Sequence, residues 1–395
     1  MIDTREELII ALEEAAELEH GLMVQYLYAA MTLKRGPEDG LNDEQSATVG
    51  TWRESIYMVA RQEMGHLGTV QNILTSIGGA PHFDLPRFPV TSKYYEPPQE
   101  FTLEPLRLDV VDRFIAFEAP LPPPTFGLLD LQPDPLEYRS VGDLYTQILE
   151  GIRKVPGDVL FVGPASGQDV SRWSQSVSVL AARSIEESEA AIRHIIEEGE
   201  ATTAGGPESH YHRFRRIREE YVEELQRNPS FKPYRPVASN PTTDPAGGQR
   251  RQVLRQEPAL GIAKLFNSVY KTTLFALGQS YKFQETFGVP FPDVDTAREL
   301  RKVCMGLMQG IIRELGQEVL PDLVADGTGV MAAPPFEVYG YPRPAWDRRV
   351  VWKLLHERLK SERIFADNLA GTNPGLVRVA ESLKLLEQQV EELIG

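Results

Sequence analysis

Apolar residues near the N-terminus recur with a helical period, and that period is broken at two informative points. In strides of four and three, residues 52–77 give Trp52, Ile56, Val59, Glu63, His66, Val70, Ile73 and Ile77. These positions form one face of an α-helix. Glu63 and His66 are its only polar members and sit next to each other. A buried carboxylate costs several kcal/mol unless it is paired. A Glu-x-x-His step inside a core stripe is how four-helix bundles present ligands to iron or manganese. A plain Glu–His hydrogen bond in a core would give the same short pattern.

The preceding stretch shifts the balance toward a metal site. Asp3-Thr4 with Glu7 is a capping-box start, and Gly36-Pro37 is a stop. Between them the same strides give Leu8, Leu12, Ala15, Glu19, Leu22, Tyr26, Ala29 and Leu33, again with a single carboxylate. The link between the two helices is short, which makes them antiparallel neighbours. Glu19 lies 14 residues before Leu33 and Glu63 lies 11 after Trp52, so the two carboxylates fall at comparable heights. Two stripes interrupted at one level point to a metal site rather than to packing.

Further along, residues 81–140 hold 12 of the 30 prolines and read as an irregular crossover. Within it a short strand is expected at Leu108–Val111 and an aromatic turn at Phe114–Phe117. Such a long crossover belongs to one class of four-helix bundle, and long loops of this kind often wall a functional pocket. A short amphipathic helix is predicted over Val141–Lys154, a third bundle helix over Ser176–Glu200 and a fourth over Glu208–Arg227. Residues 228–256 are rich in Pro, Asn, Gly and Arg. Three more helical segments follow, at Pro258–Phe283, Thr296–Leu320 and Leu376–Leu393, with a loop-like stretch at Gly327–Pro344. The predicted organisation is a mostly α chain: a four-helix bundle over 1–230 with its crossover at 80–175, a linker at 231–256, and a helical C-terminal region over 257–395 packed on the bundle.

Composition narrows the partners. The 395 residues are long enough to bury a sizeable core. The net charge of −16 argues against nucleic acid and anionic membrane surfaces. No apolar run approaches the ~20 residues of a membrane span. The single cysteine, Cys304, leaves no disulfide framework and no cysteine-based metal site. The N-terminus opens directly into a capped helix without a signal-peptide pattern, so a cytoplasmic location is expected.

The remaining ligands should come from the third and fourth helices, and two choices compete. Periodicity favours Glu189, on the stripe Ala182, Ile185, Glu189, Ile192, Ile196. Level favours Glu197 and Glu200 at the end of helix three, beside His210 at the start of helix four. Glu189 is ~16 Å from Glu200 at the helical rise per residue. Imidazole with carboxylates suits iron, which selects Glu19, Glu63, His66, Glu197, Glu200 and His210, with Glu189 the alternative to Glu197 or Glu200. Exposed glutamate runs are common in so acidic a chain. His20, His82, His194, His212 and His356 read as structural or solvated. Tyr26 reads as core, within reach of a metal-bound carboxylate.

These residues resemble the ferritin-like superfamily: Glu19 with Tyr26, then Glu63-x-x-His66. More narrowly, the chain is similar to the ferritin-like family of iminophenyl-pyruvate dimer synthases, related to violacein and rebeccamycin assembly. The resemblance rests on Glu17-Leu-Glu19-His20, Tyr26-Leu-Tyr-Ala29, Val59-Ala-Arg-Gln-Glu63-Met-Gly-His66, Ile77-Gly-Gly-Ala-Pro-His-Phe-Asp84, Ile195-Ile-Glu-Glu-Gly-Glu200, Ser209-His-Tyr211 with Arg213-Phe214, and Pro334-Pro-Phe-Glu337. It implies bound iron, one or two ions, and oxidative coupling of imines derived from an aromatic amino acid. It also supports Glu197, Glu200 and His210 as ligands. Helix four lacks a Glu-x-x-His, a departure from the symmetric di-iron pattern.

The expected function is a non-haem iron-dependent oxidase or oxygenase of secondary metabolism, acting with O₂ or peroxide on a small, amino-acid-derived, imine-type substrate. Haem binding is left open, and the apolar helices beyond the bundle are compatible with a homodimer. The alternative is an iron-binding or iron-storage protein of the same fold without an organic substrate. The long crossover and the more than 150 residues after helix four weigh against it.

Overall fold

The computed structural model describes residues 2–92, 98–120, 140–163, 168–169, 172–174, 177–200, 208–282, 294–340, 345, 347–371 and 373–394. Two capped helices form its centre. In α1 (Arg5–Met31) the Thr4 side chain accepts from the Glu7 amide and the Glu7 carboxylate accepts from the Thr4 amide. In α2 (Asp43–Ser76) Asn42 and Gln45 make the same reciprocal pair. Both devices satisfy amides that a helix start leaves unpaired. The helices run antiparallel, as their short link requires, so Glu19 meets His66.

The stretch read as strand and turn is instead a helix, α3 (Leu108–Phe117). Val110, Val111, Phe114 and Phe117 are buried along one face, so the helical period overrides the surrounding prolines. Next come α4 (Val141–Lys154), with the predicted bounds, the single turn α5 (Gly157–Leu160), α6 (Ile185–Glu200) and α7 (His210–Arg227). The third bundle helix starts at Ile185 rather than near Ser176, because Val177–Ser178 pairs antiparallel with Arg172–Ser174 as a small ribbon. That ribbon crosses α2 at Gly65, where a Cβ would stand 3.0 Å from the Ser178 carbonyl oxygen. At Gly68 a Cβ would meet the Tyr281 hydroxyl at 3.0 Å. The two glycines either side of His66 thus let neighbouring chain approach α2 closely. Pro122–Pro124 of the crossover lie outside the described residues.

Residues 231–256 are tied down at several points. The Lys34 amide donates to Pro233, the Arg235 amide to Thr32 and the Asn240 amide to Leu103. The C-terminal part contains α8 (Ala259–Lys282), α9 (Val294–Leu307), α10 (Arg348–Ala370) and α11 (Leu376–Glu392). Beyond α9 the chain continues in π-helical turns over Met308–Ile312 and Glu314–Val319. The apolar pattern did not anticipate α10, whose buried face of Val351, Trp352, Leu355 and Leu359 is diluted by flanking charges and includes buried Glu362. One apolar core runs from the bundle into these helices. Tyr270 on α8 bonds His20 at 2.6 Å and Gln317 accepts from Tyr57 at 2.7 Å. As a result α1 is buried all round from Leu18 to Met31, apart from half-buried Leu27. Among the described residues no helix is long and apolar enough to cross a membrane.

Candidate metal centre

The two interrupted stripes meet. Glu19 on α1 and Glu63 and His66 on α2 converge, and His210, the first residue of α7, joins them from the far side. His66 Nδ1 lies 2.8 Å from Glu63 Oε2 and 3.5 Å from Glu19 Oε2. His210 Nδ1 lies 3.0 Å from Glu63 Oε1 and 3.5 Å from Glu118 Oε2. Each oxygen of Glu63 therefore faces a different imidazole, and the two rings are 5.6 Å apart. All five side chains are buried, the most accessible being Glu118 at 6%. They form two ligand groups that share Glu63: Glu19, Glu63, His66 and Glu63, Glu118, His210.

Sequence reasoning missed Glu118. It caps the C-terminal end of α3, in a region the proline content marked as irregular. The helical spacing of Val110, Phe114 and Phe117 was the signal that could have placed it, since a residue one step past Phe117 stays at the buried end. Tyr26 holds it there, donating its hydroxyl hydrogen to Glu118 Oε1. Phe114 and Phe214 pack on the Tyr26 ring at 4.8 and 5.0 Å.

Helix α6 corrects the other half of the prediction. Ser188, Ala191, Ile192, Ile195 and Gly199 form its buried face, and that register turns Glu197 out to solvent. The adjacent Glu198 takes the inner edge, with Oε2 3.0 Å from His66 Nε2 and Oε1 accepting from Gln62 at 2.7 Å. The Glu200 side chain lies outside the described residues. Glu189 is a surface partner of Arg153, at 2.5 and 3.0 Å, which removes it as an alternative. Of the other histidines, His20 is locked between the Asp84 carbonyl at 3.1 Å and the Tyr270 hydroxyl. Burial pushes its pKa down to about 4, so it stays neutral. His82 pairs with Glu17 at 3.0 Å and His212 with Ser209 at 2.8 Å.

The electrostatics are compatible with a bound cation. Burial, together with the charge of Glu63, pushes the Glu19 carboxyl up to about 8 and also raises Glu118. Burial works on Glu63 as well, but His210 and His66 outweigh it and hold that carboxylate well below its ordinary range. Burial opposes charge on both imidazoles, yet Glu63 and its neighbours lift His210 to about 9 and His66 well above the usual value. Three carboxylates packed this closely need positive charge among them. Hydrogen bonding leaves atoms over. Glu19 Oε2 and both ring nitrogens of His210 have no hydrogen-bond partner, the 3.0 Å approach of His210 Nδ1 to Glu63 lacking the direction a hydrogen bond needs. A Glu19 oxygen and His210 ring nitrogens that are buried beside a carboxylate cluster without hydrogen-bond partners fit metal ligation. The outer contacts fit it too: Tyr145 donates to Glu19 Oε1, Tyr26 to Glu118 Oε1, and Glu198 orients His66 through its second nitrogen.

The chain resembles a family profile and several known proteins. The family profile described as ferritin-like matches residues 12–219. The dichlorochromopyrrolate synthase of Lentzea aerocolonigenes is 30% identical over 381 residues, covering 85% of this chain and 36% of the synthase. The 2-imino-3-(indol-3-yl)propanoate dimerase of Chromobacterium violaceum is 22% identical over 364 residues, covering 85% of this chain and 34% of the dimerase. The chain thus spans about a third of the length of these relatives. A crystal structure of a ferritin-like protein from Caulobacter vibrioides aligns with a TM-score of 0.46 and 18% identity, over 77% of this chain and 95% of that one. With more than half of its length matched by that profile, a helical fold, and relatives of the dimer-synthase kind its motifs resemble, the chain belongs to the ferritin-like family.

Proposed function

We propose that this chain is an iron-dependent oxidoreductase acting on a small, aromatic amino-acid-derived substrate. Glu19, Glu63, His66, Glu118 and His210 would hold two iron ions, with Glu63 shared. The observation that carries the reading is the division of Glu63 between two buried imidazoles, beside His210 nitrogens and a Glu19 oxygen that no hydrogen bond satisfies. Carboxylate and imidazole donors suit iron among the transition metals. Bound iron would supply one- and two-electron chemistry, with O₂ or peroxide as oxidant.

The chain's own residues have defined tasks. Tyr145 and Tyr26 fix the rotamers of Glu19 and Glu118 by donating to the oxygen that faces away from the centre. Glu198 holds the His66 ring so that Nδ1 faces Glu19 and Glu63. Phe114 and Phe214, with ring centroids 5.3 Å apart, pack on Tyr26, the donor to Glu118. The likeness to the 2-imino-3-(indol-3-yl)propanoate dimerase supports an imine-type aromatic substrate, and the assignment to secondary metabolism rests on the likeness to both relatives.

Metal content of the chain produced with added iron tests the centre. The expected result is about two iron ions per chain, lost on replacing Glu63 or His210 by Ala. Unchanged metal content in those variants would end the proposal, and hundreds of ions per assembly would favour the storage alternative. For the reaction, the iron-loaded protein should convert a 2-imino acid, made in situ from an aromatic amino acid, into a coupled product detectable by mass spectrometry.

A further inference from the structure

A cleft of about 390 Å³ opens on another side of the central helix pair. None of the five residues of the metal cluster lines it. On α2 its wall is Tyr57, Arg61 and Met64, a stripe on a different face from Glu63 and His66. The lining also takes in Met308 and Ile312 of the first π-helical turn and Arg313, which joins it to the second. Long π-helical stretches are rare, and where they occur they often shape functional sites.

The lining has a chemical character. Met23, Met31, Met64, Met305 and Met308 line the cleft, five of the eight methionines in the chain. With Tyr57 and Tyr270 they make an apolar, polarisable wall suited to flat aromatic groups. A smaller neighbouring cavity shares Met23, Met64, Tyr270 and Met308.

The charged groups of the lining are both cationic, Arg61 and Arg313. Arg61 follows Tyr57 by one helical turn, and the Arg313 guanidinium lies 5.3 Å above the Tyr57 ring; both arginines line the cleft. Among the described residues neither has a carboxylate partner, and Arg61 Nε is closed off from water without any hydrogen bond. Arg313 Nε reaches only the Gln317 amide oxygen, at 3.4 Å. Nearby Glu318 is engaged by Arg35 at 3.1 Å. By contrast, Arg298, Arg301 and Lys302 of the adjoining surface all have acidic partners, Asp295, Asp169 and Glu299. Two guanidinium groups without carboxylate partners among the described residues thus line a largely apolar slot on a chain of net charge −16.

We propose that this cleft binds an aromatic monocarboxylate, its ring between the methionines and its carboxylate on Arg61 and Arg313, at a site separate from the metal centre. The size and mostly apolar lining are those of a small-molecule pocket. Titration calorimetry of the full chain with 2-naphthoate tests it. Saturable one-to-one binding is expected, with 2-naphthamide at least about tenfold weaker, the discrimination of a charge-assisted pair. The double variant Arg61→Gln with Arg313→Gln should lose about the same factor. Met308→Trp should fill the slot and abolish binding, and Leu27→Phe should narrow it if the first variant fails to fold. Glu63→Ala, which empties the metal centre under the function proposed above, should leave 2-naphthoate binding in place. Absence of saturable binding, equal affinity for the amide, or loss of binding in folded Glu63→Ala alone would overturn the proposal. So would a concentration-dependent dimer abolished by Met308→Trp with no naphthoate bound, which would make this face a contact between copies.

Discussion

Tyr145 and Glu362 show how single buried residues set measurable properties of this molecule. Tyr145 donates to Glu19 Oε1 and leaves Oε2 turned toward His66. Removing such an outer hydrogen bond weakens metal sites by about 10–100-fold. Tyr145→Phe should therefore retain the fold and lose at least about tenfold in iron affinity, measured by competition with a chelator. Glu362 lies far along the chain from the centre, accepting from Ser268 and Thr272 at 2.7 Å each, and its Oε2 has no partner. Burial pushes its pKa up to about 7, above the ordinary glutamate value of 4.5. A raised carboxyl stabilises the fold fully below the unfolded pKa, and that contribution is lost as pH rises through the folded one. The shift corresponds to about 3 kcal/mol at 1.36 kcal/mol per unit. Glu362→Gln should gain up to that amount relative to the parent between about pH 5 and pH 8, read from denaturant melts at both. The acids at Glu19 and Glu63 were legible in the sequence because each breaks an apolar stripe. Glu118 and Glu198 were not: one follows a helix hidden by prolines, and the other differs from exposed Glu197 by a single step of register.

Helix α2 illustrates what an element's sequence does and does not disclose. Its apolar stripe and its stop are plain, but the reason for Gly65 and Gly68 appears only when the ribbon at 177–178 and Tyr281 are seen against it. An added methyl at Gly65 meets a backbone oxygen, which cannot swing aside as a side chain can. At Gly50, on the same helix, nothing stands within 4 Å. Gly50→Ala should stabilise by up to about 1 kcal/mol through helix propensity, while Gly65→Ala should cost about 1 kcal/mol or more through the forced shift. Urea denaturation of the two variants gives opposite signs if this reading holds. The late start of α6 has a similar cause: its first predicted turns contain serines that a helix tolerates, and the pairing with 172–174 decides for strand. Helix α10 escaped because many of its exposed positions are charged and one buried position is a glutamate.

At the scale of the whole molecule, helices that sequence reading placed after the bundle enclose its central pair. Tyr270, Gln317 and residues 233–240 all reach α1 or α2, contacts between positions some 200 residues apart that no local pattern encodes. Their joint effect is that the middle of α1 has almost no water on any side. Amides in such a position cannot exchange through fraying or partial opening. Backbone protons of residues 20–30 should be the last to take up deuterium, at the rate set by complete unfolding, while α11 exchanges much earlier. If α1 deuterates together with α11, its enclosure is shallower than drawn here. A ligand that slows exchange across α1 would thereby report a change in the stability of the entire chain, so one helix can serve as an internal gauge for every binding event considered above.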